Sequence, residues 1–274
     1  MAPHLTGVPM QTKIGVSVAQ LVSVYASLVG VGVFGTRVRD SGFGAFRDDA
    51  TLIAPAAGAF AIWSVIYVGL FVFTVWLWLP GDQAAGRVGP VAGLAAASML
   101  LNATWILVAQ AGWVTVSVAV IVALLVVLTR IVQRLGAAPP QTPGEQIIVD
   151  ATFELYLGWV MLATCANVAT ALVTHGAPAT GPAATAATVG VLVAIAGLAR
   201  WVAGRLPGRW GIALGIGWGL TWIARARSAD TPESMPVALT AAVVAGLVAA
   251  SFAYTAGRST SGSGGRSRPR KEPS

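Results

Sequence analysis

Residues 57–67 read Ala-Gly-Ala-Phe-Ala-Ile-Trp-Ser-Val-Ile-Tyr, and the apolar run they open continues to Leu79 without a charged residue. A helix of that length, rising 1.5 Å per residue, crosses a hydrocarbon core of about 30 Å. Trp63 and Tyr67 stand four residues apart, so the helix carries them on one face. Both lie well inside the run, although aromatic side chains with polar atoms usually gather in the interface belts. Two of them on one deep face point either to a lined cavity or to packing between helices.

The rest of the chain has the same character. Of 274 residues, 56% are apolar and 10% charged, with a mean hydropathy of +0.76. A soluble domain carries about 25% charged residues. The composition therefore specifies an all-α integral membrane protein, and eight apolar segments fit as spans: Ile14–Phe34, Ala57–Leu79, Val91–Ala109, Trp113–Val132, Thr152–Thr174, Ala183–Ala203, Arg209–Ala224 and Pro236–Tyr254. The seventh is the shortest and depends on Arg209 and Arg225 snorkelling outward. The first is preceded by a single basic residue, Lys13, and lacks a small-x-small cleavage site, so it reads as a retained helix.

The net charge of +7 resolves into topology rather than a nucleic-acid surface. With eight spans, twelve Lys/Arg fall on the side of the two termini and five on the other. The positive-inside rule then makes both termini cytoplasmic, most simply in the cell membrane, with anionic lipid as the partner of the basic flanks. The stretch Gly257–Ser274, rich in Gly, Ser and Arg, reads as a disordered basic tail. Two histidines in separate polar stretches and one cysteine, Cys165, support neither a metal site nor a disulfide.

Further polar and aromatic residues sit at membrane depth. Asn102 and Trp105 share a face of the third span. Tyr156, Trp159, Ala163 and Asn167 follow at helical spacing in the fifth, and Trp218 and Trp222 in the seventh. Each Asn either bridges helices or lines a cavity, because an unpaired amide in lipid is costly. Trp76, Trp78, Trp113, Trp201 and Trp210 lie near span ends and read as belt residues. Glu154, close to Asp150, reads as interfacial, with a buried functional carboxylate as the alternative. Phe43 and Phe46 in the long first loop either rest at the interface or cap a pocket mouth. Two small-residue ladders, Gly211/Gly215/Gly219 and Ala242/Gly246/Ala250, suit close helix packing inside the protein or in a homodimer. No nucleophile–base set, phosphate loop or chain of ionisable groups stands out, so neither an enzyme nor a proton relay is expected.

These motifs resemble the TspO/MBR family, the translocator proteins or tryptophan-rich sensory proteins. Its second helix carries Pro-x-x-x-Phe-x-x-x-Trp-Thr-x-x-Tyr; here Pro55, Trp63 and Tyr67 keep the register, with Phe60 displaced by one and Ser64 in place of Thr. Its Asn-x-x-Trp is matched by Asn102 and Trp105, and its Pro-Tyr-x-x-Trp followed by Asn is matched by Tyr156, Trp159 and Asn167, with Leu155 in place of the Pro. The resemblance covers residues 14–174 as a five-helix core, after a cytoplasmic stretch 1–13. Residues 183–256 look like the three added helices of a longer branch. It implies a pocket for a tetrapyrrole such as protoporphyrin, or a sterol-like ligand, in a receptor, sensor or carrier. Trp63, Trp105, Tyr156, Trp159 and Asn167 would line this pocket, with Tyr67 and Asn102 supporting. A small-solute transporter and a purely structural membrane protein remain alternative readings.

Overall fold

The computed structural model describes residues 8–34, 37–40, 44–79 and 85–263. They form eight long helices: α1 (Met10–Gly30), α2 (Ile62–Trp76), α3 (Ala85–Gln110), α4 (Val114–Gly136), α5 (Thr152–Thr174), α6 (Pro182–Arg205), α7 (Trp210–Ala229) and α8 (Met235–Ser263). Ala57–Ala61 is a 3-10 turn leading into α2, and Gln146–Ala151 is a π-helical turn leading into α5. No strand occurs among the described residues.

Local chemistry explains the boundaries. Gly112, at φ +74°, turns the chain sharply between α3 and α4. Gly181, at φ +90°, precedes Pro182 at the first position of α6, where a missing N–H costs nothing. Thr142 accepts a hydrogen bond from the Glu145 N–H at the turn before α5. The helices differ from the sequence expectation at their ends. α1 starts and stops four residues earlier, leaving Val31–Phe34 in a turn. The helical backbone of α8 runs past Tyr254 to Ser263, so Gly257–Ser263 is helix rather than disordered tail. Residues 1–7, Phe43, Pro80–Asp82 and the tail beyond Ser263 lie outside the described residues.

Seven of these helical segments are long and apolar enough to cross a membrane. The exception is α7, which is interrupted by Gly211, Gly215, Gly217 and Gly219 and ends in Arg225 and Arg227. One face of it packs on protein, with Ile212, Ile216, Leu220 and Ile223 buried, while Leu214 and Trp218 on another face are exposed.

Helix adjacency places the site. The order α1–α3–α4–α5 runs through side-by-side neighbours, and α2 touches both α1 and α5, closing a five-helix ring. α7 then packs on the outside of α5, α8 on α7, and α6 on α8. The α5–α7 seam is made by glycine. A Cβ on Gly158 would lie 2.3 Å from the Ile212 carbonyl oxygen, and one on Gly215 2.5 Å from that of Leu155. The first small-residue ladder therefore lets two backbones touch. The second behaves differently: Ala242, Gly246 and Ala250 are exposed, and a Cβ on Gly246 meets nothing within 4 Å.

Candidate functional site

α2 reaches across the ring at a distance from α3, and the side chains on its inner face do not fill the gap. The result is a cavity of about 500 Å³ in the half of the bundle that holds the C-terminal ends of α1, α3 and α5. Its walls come from four helices and the first loop. α2 and its leading turn present Ala57, Phe60, Trp63, Ser64 and Tyr67; α5 presents Trp159, Leu162, Ala163, Ala166, Asn167 and Thr170. α1 contributes Ser27 and Gly30, and α3 contributes Trp105 and Ile106. Val38, Phe46 and Arg47 of the loop complete it.

The aromatic rings hold one another at right angles or in offset stacks. Trp63 stacks on Tyr67 at 5.5 Å between centroids and 28° between planes, and meets Trp159 edge-on at 6.3 Å and 87°. Phe60 meets Trp159 edge-on at 6.0 Å, and Phe46 meets Trp105 at 5.8 Å. Such pairs contribute about 0.5–1.5 kcal/mol each beyond area burial, so the walls are stiff before any guest arrives.

Hydrogen bonds fix the polar members. Trp105 donates its indole N–H to Asn167 Oδ1 at 2.8 Å, while Asn167 Nδ2 donates to Ser117 Oγ at 2.9 Å. Asn102 Nδ2 donates to the Tyr67 hydroxyl at 2.7 Å. Both asparagines thus bridge helices, and Asn167 also faces the cavity. Trp159 is 3% exposed, and its indole N–H has no acceptor among the described residues. At the mouth, Arg47 pairs with Asp49 at 3.0 Å, and that carboxylate raises the guanidinium above its ordinary pKa.

Of the residues picked out from sequence, Trp63, Tyr67, Trp105, Trp159 and Asn167 lie on one cavity. Asn102 does not line it but anchors Tyr67 from behind. Tyr156 is a correction. It is fully buried, edge-on to Trp63 at 5.6 Å, with its hydroxyl 3.4 Å from the Ser98 carbonyl oxygen. A residue three before Trp159 sits about 60° around the helix, enough to turn it from the cavity toward α3. Trp218 and Trp222, on α7, also lie outside the cavity lining. Sequence reasoning missed Ser27, Gly30, Ile106 and Thr170, whose residue types carry no signal of their own.

The opposite half of the bundle holds what the sequence concealed. Glu154 is buried, 6% exposed, and joins a cluster with Arg87, Glu145, Asp150 and Arg209 at the helix ends. Arg87 donates to Glu145 at 2.8 Å, to Asp150 at 2.6 Å and to the carbonyls of Leu135 and Ala138, each at 2.8 Å. Arg209 pairs with Asp150 and, at 2.9 Å, with Glu154, whose second oxygen accepts the Gly211 N–H at 3.0 Å. The cluster ties α3, the end of α4, the π turn, α5 and α7 together. Asp150 and Glu154, one turn apart, were the visible signal.

Comparison with known proteins agrees with the aromatic pattern. No curated protein and no solved structure matches the chain. The sequence model of the TSPO-like protein family matches residues 16–254, a stretch that runs from α1 through α8. With its motif residues gathered around one intramembrane cavity and most of its length matched, this chain belongs to the TSPO-like, or TspO/MBR, family of integral membrane proteins.

Proposed function

We propose that the chain binds a flat, largely apolar ligand of the tetrapyrrole or sterol-like class within the five-helix ring, acting as a receptor, sensor or carrier. The observation that supports this most is the cavity of about 500 Å³ walled by Trp63, Trp105 and Trp159. Its size falls within the range of about 300–1,000 Å³ common to small-molecule pockets, and flat aromatic walls favour a flat guest. Tyr67 and Asn167 supply polar contact, and the Arg47–Asp49 pair lies at the mouth. In this reading the ion cluster lies toward the cytoplasm with both termini, and the cavity lies in the outer half of the membrane.

The test is a protoporphyrin titration of the purified protein, followed by equilibrium dialysis. Trp63→Phe with Trp159→Phe should weaken binding by about tenfold, the equivalent of roughly 1.4 kcal/mol of lost contact. Unchanged affinity in the double variant would place the ligand elsewhere. Flux of a small solute into liposomes without porphyrin affinity would favour the transporter reading.

A further inference from the structure

Helix α7 grips the cavity wall from outside at two places. The Trp218 indole N–H donates to the Ala59 carbonyl at 2.7 Å, and the Ala56 N–H donates to the Trp222 carbonyl at 3.3 Å. The Trp222 ring fills the place of a side chain at Gly58, where a Cβ would fall 2.2 Å from it. One turn and a half further on, Arg227 is 1% exposed and donates to the Asp48 carbonyl at 2.8 Å and the Pro232 carbonyl at 2.9 Å. Neither tryptophan nor Arg227 lines the cavity. Yet what they hold does: Ala57 and Phe60 belong to the gripped turn, and Phe46 and Arg47 immediately precede Asp48. The gripped segment is a five-residue 3-10 turn, a conformation with poor hydrogen-bond geometry that holds its shape through outside support. On its other side α7 reaches the same wall from behind, since a Cβ on Gly219 would touch Leu162 and the Trp159 ring.

We propose that Trp218 and Trp222 are positioning residues of the ligand cavity. They set the Ala57–Ala61 turn, and through it the Phe60 ring against Trp159, while Arg227 holds the loop that roofs the site. The inference rests on the ligand-binding reading above. It gives the C-terminal helices a part in recognition without any contact to the ligand.

A binding cycle on the full-length protein tests it, with protoporphyrin as the probe and equilibrium dialysis as the assay. Gly58→Ala should weaken binding by about tenfold while Trp222 is present and by less than about twofold in a Trp222→Leu background, because the clash and the grip are one contact. Equal loss in both backgrounds would overturn the proposal. Trp218→Phe keeps an aromatic ring but removes the N–H donor together with the pyrrole half of the indole, and should weaken binding by about threefold; an unchanged affinity counts against it. Amide hydrogen exchange supplies a readout independent of ligand. Trp218→Phe and Trp222→Leu should speed exchange at residues 57–61 and leave the α4 amides around Leu124–Leu128 at the wild-type rate. A uniform rise would indicate general loosening, and no change at 57–61 would indicate no grip; either result refutes the positioning role. If the wild-type protein binds no protoporphyrin, the ligand reading falls and the exchange pattern still decides this one.

Discussion

Replacing Arg87 by Met should be the most damaging single substitution in the buried cluster, and its cost can be worked from the contacts. Arg87 makes four hydrogen bonds, two to carboxylates and two to carbonyls, with a side chain only 4% exposed. Its removal leaves Asp150 and Glu154 to share Arg209, and Glu145 with the Gln141 N–H in place of its guanidinium. Breaking a buried pair from one side costs about 3–5 kcal/mol, because the abandoned charge stays buried. At roughly 2–4 °C per kcal/mol for a chain of this size, the melting temperature should fall by about 6–20 °C. Asp150→Asn makes the informative contrast. It reduces three carboxylates facing two guanidiniums to two facing two, and Arg87 keeps Glu145 while Arg209 keeps Glu154. Its cost should stay below about 2 kcal/mol, the range of a weakened rather than an orphaned contact. The exposed pair Arg225–Asp230 serves as the control, and Asp230→Asn should cost under about 1 kcal/mol. Thermal unfolding in detergent micelles measures all three. Asp150→Asn as harmful as Arg87→Met would show that charge balance does not govern the cluster.

Three further outcomes follow from the packing. Gly215→Ala places a methyl 2.5 Å from the Leu155 carbonyl oxygen and should destabilise by about 1–3 kcal/mol in the same melts. Gly246→Ala, with open space around it, should be neutral or gain up to about 1 kcal/mol from helix propensity; a loss would show a neighbour at that face. Asn167→Ala strips partners from the Trp105 indole and the Ser117 hydroxyl, and should cost about 1–3 kcal/mol and shift Trp emission.

The helices were legible because lipid imposes a long apolar run on every span, and Thr152–Thr174 is recovered to the residue. The cavity was partly legible because Trp and Asn are conspicuous where hydrocarbon does not want them. Tyr156 misled because a helical spacing of three still leaves an offset of about 60°, enough to separate a lining residue from a packed one. The ion cluster was hidden for a different reason. Arg87 and Asp150 stand 63 residues apart, and each alone looks like the charge that ends a membrane helix. Only the fold brings them within 2.6 Å. The same holds for Trp218 and Ala59, 159 positions apart.

The glycine seam between α5 and α7 sets how the protein is able to move. Gly211, Gly215 and Gly219 recur every fourth residue; the first two press on the α5 backbone and the third on the Leu162 side chain. Sliding α7 by one residue would set Leu214 or Ile216 against the Leu155 carbonyl, so the next permitted register lies four residues, about 6 Å, away. The close backbone contact therefore opposes sliding and couples the two helices. Displacement of the Trp159 wall would carry Arg209, at the N-terminal end of α7, with it, which makes the seam a mechanical link between the cavity and the ion cluster.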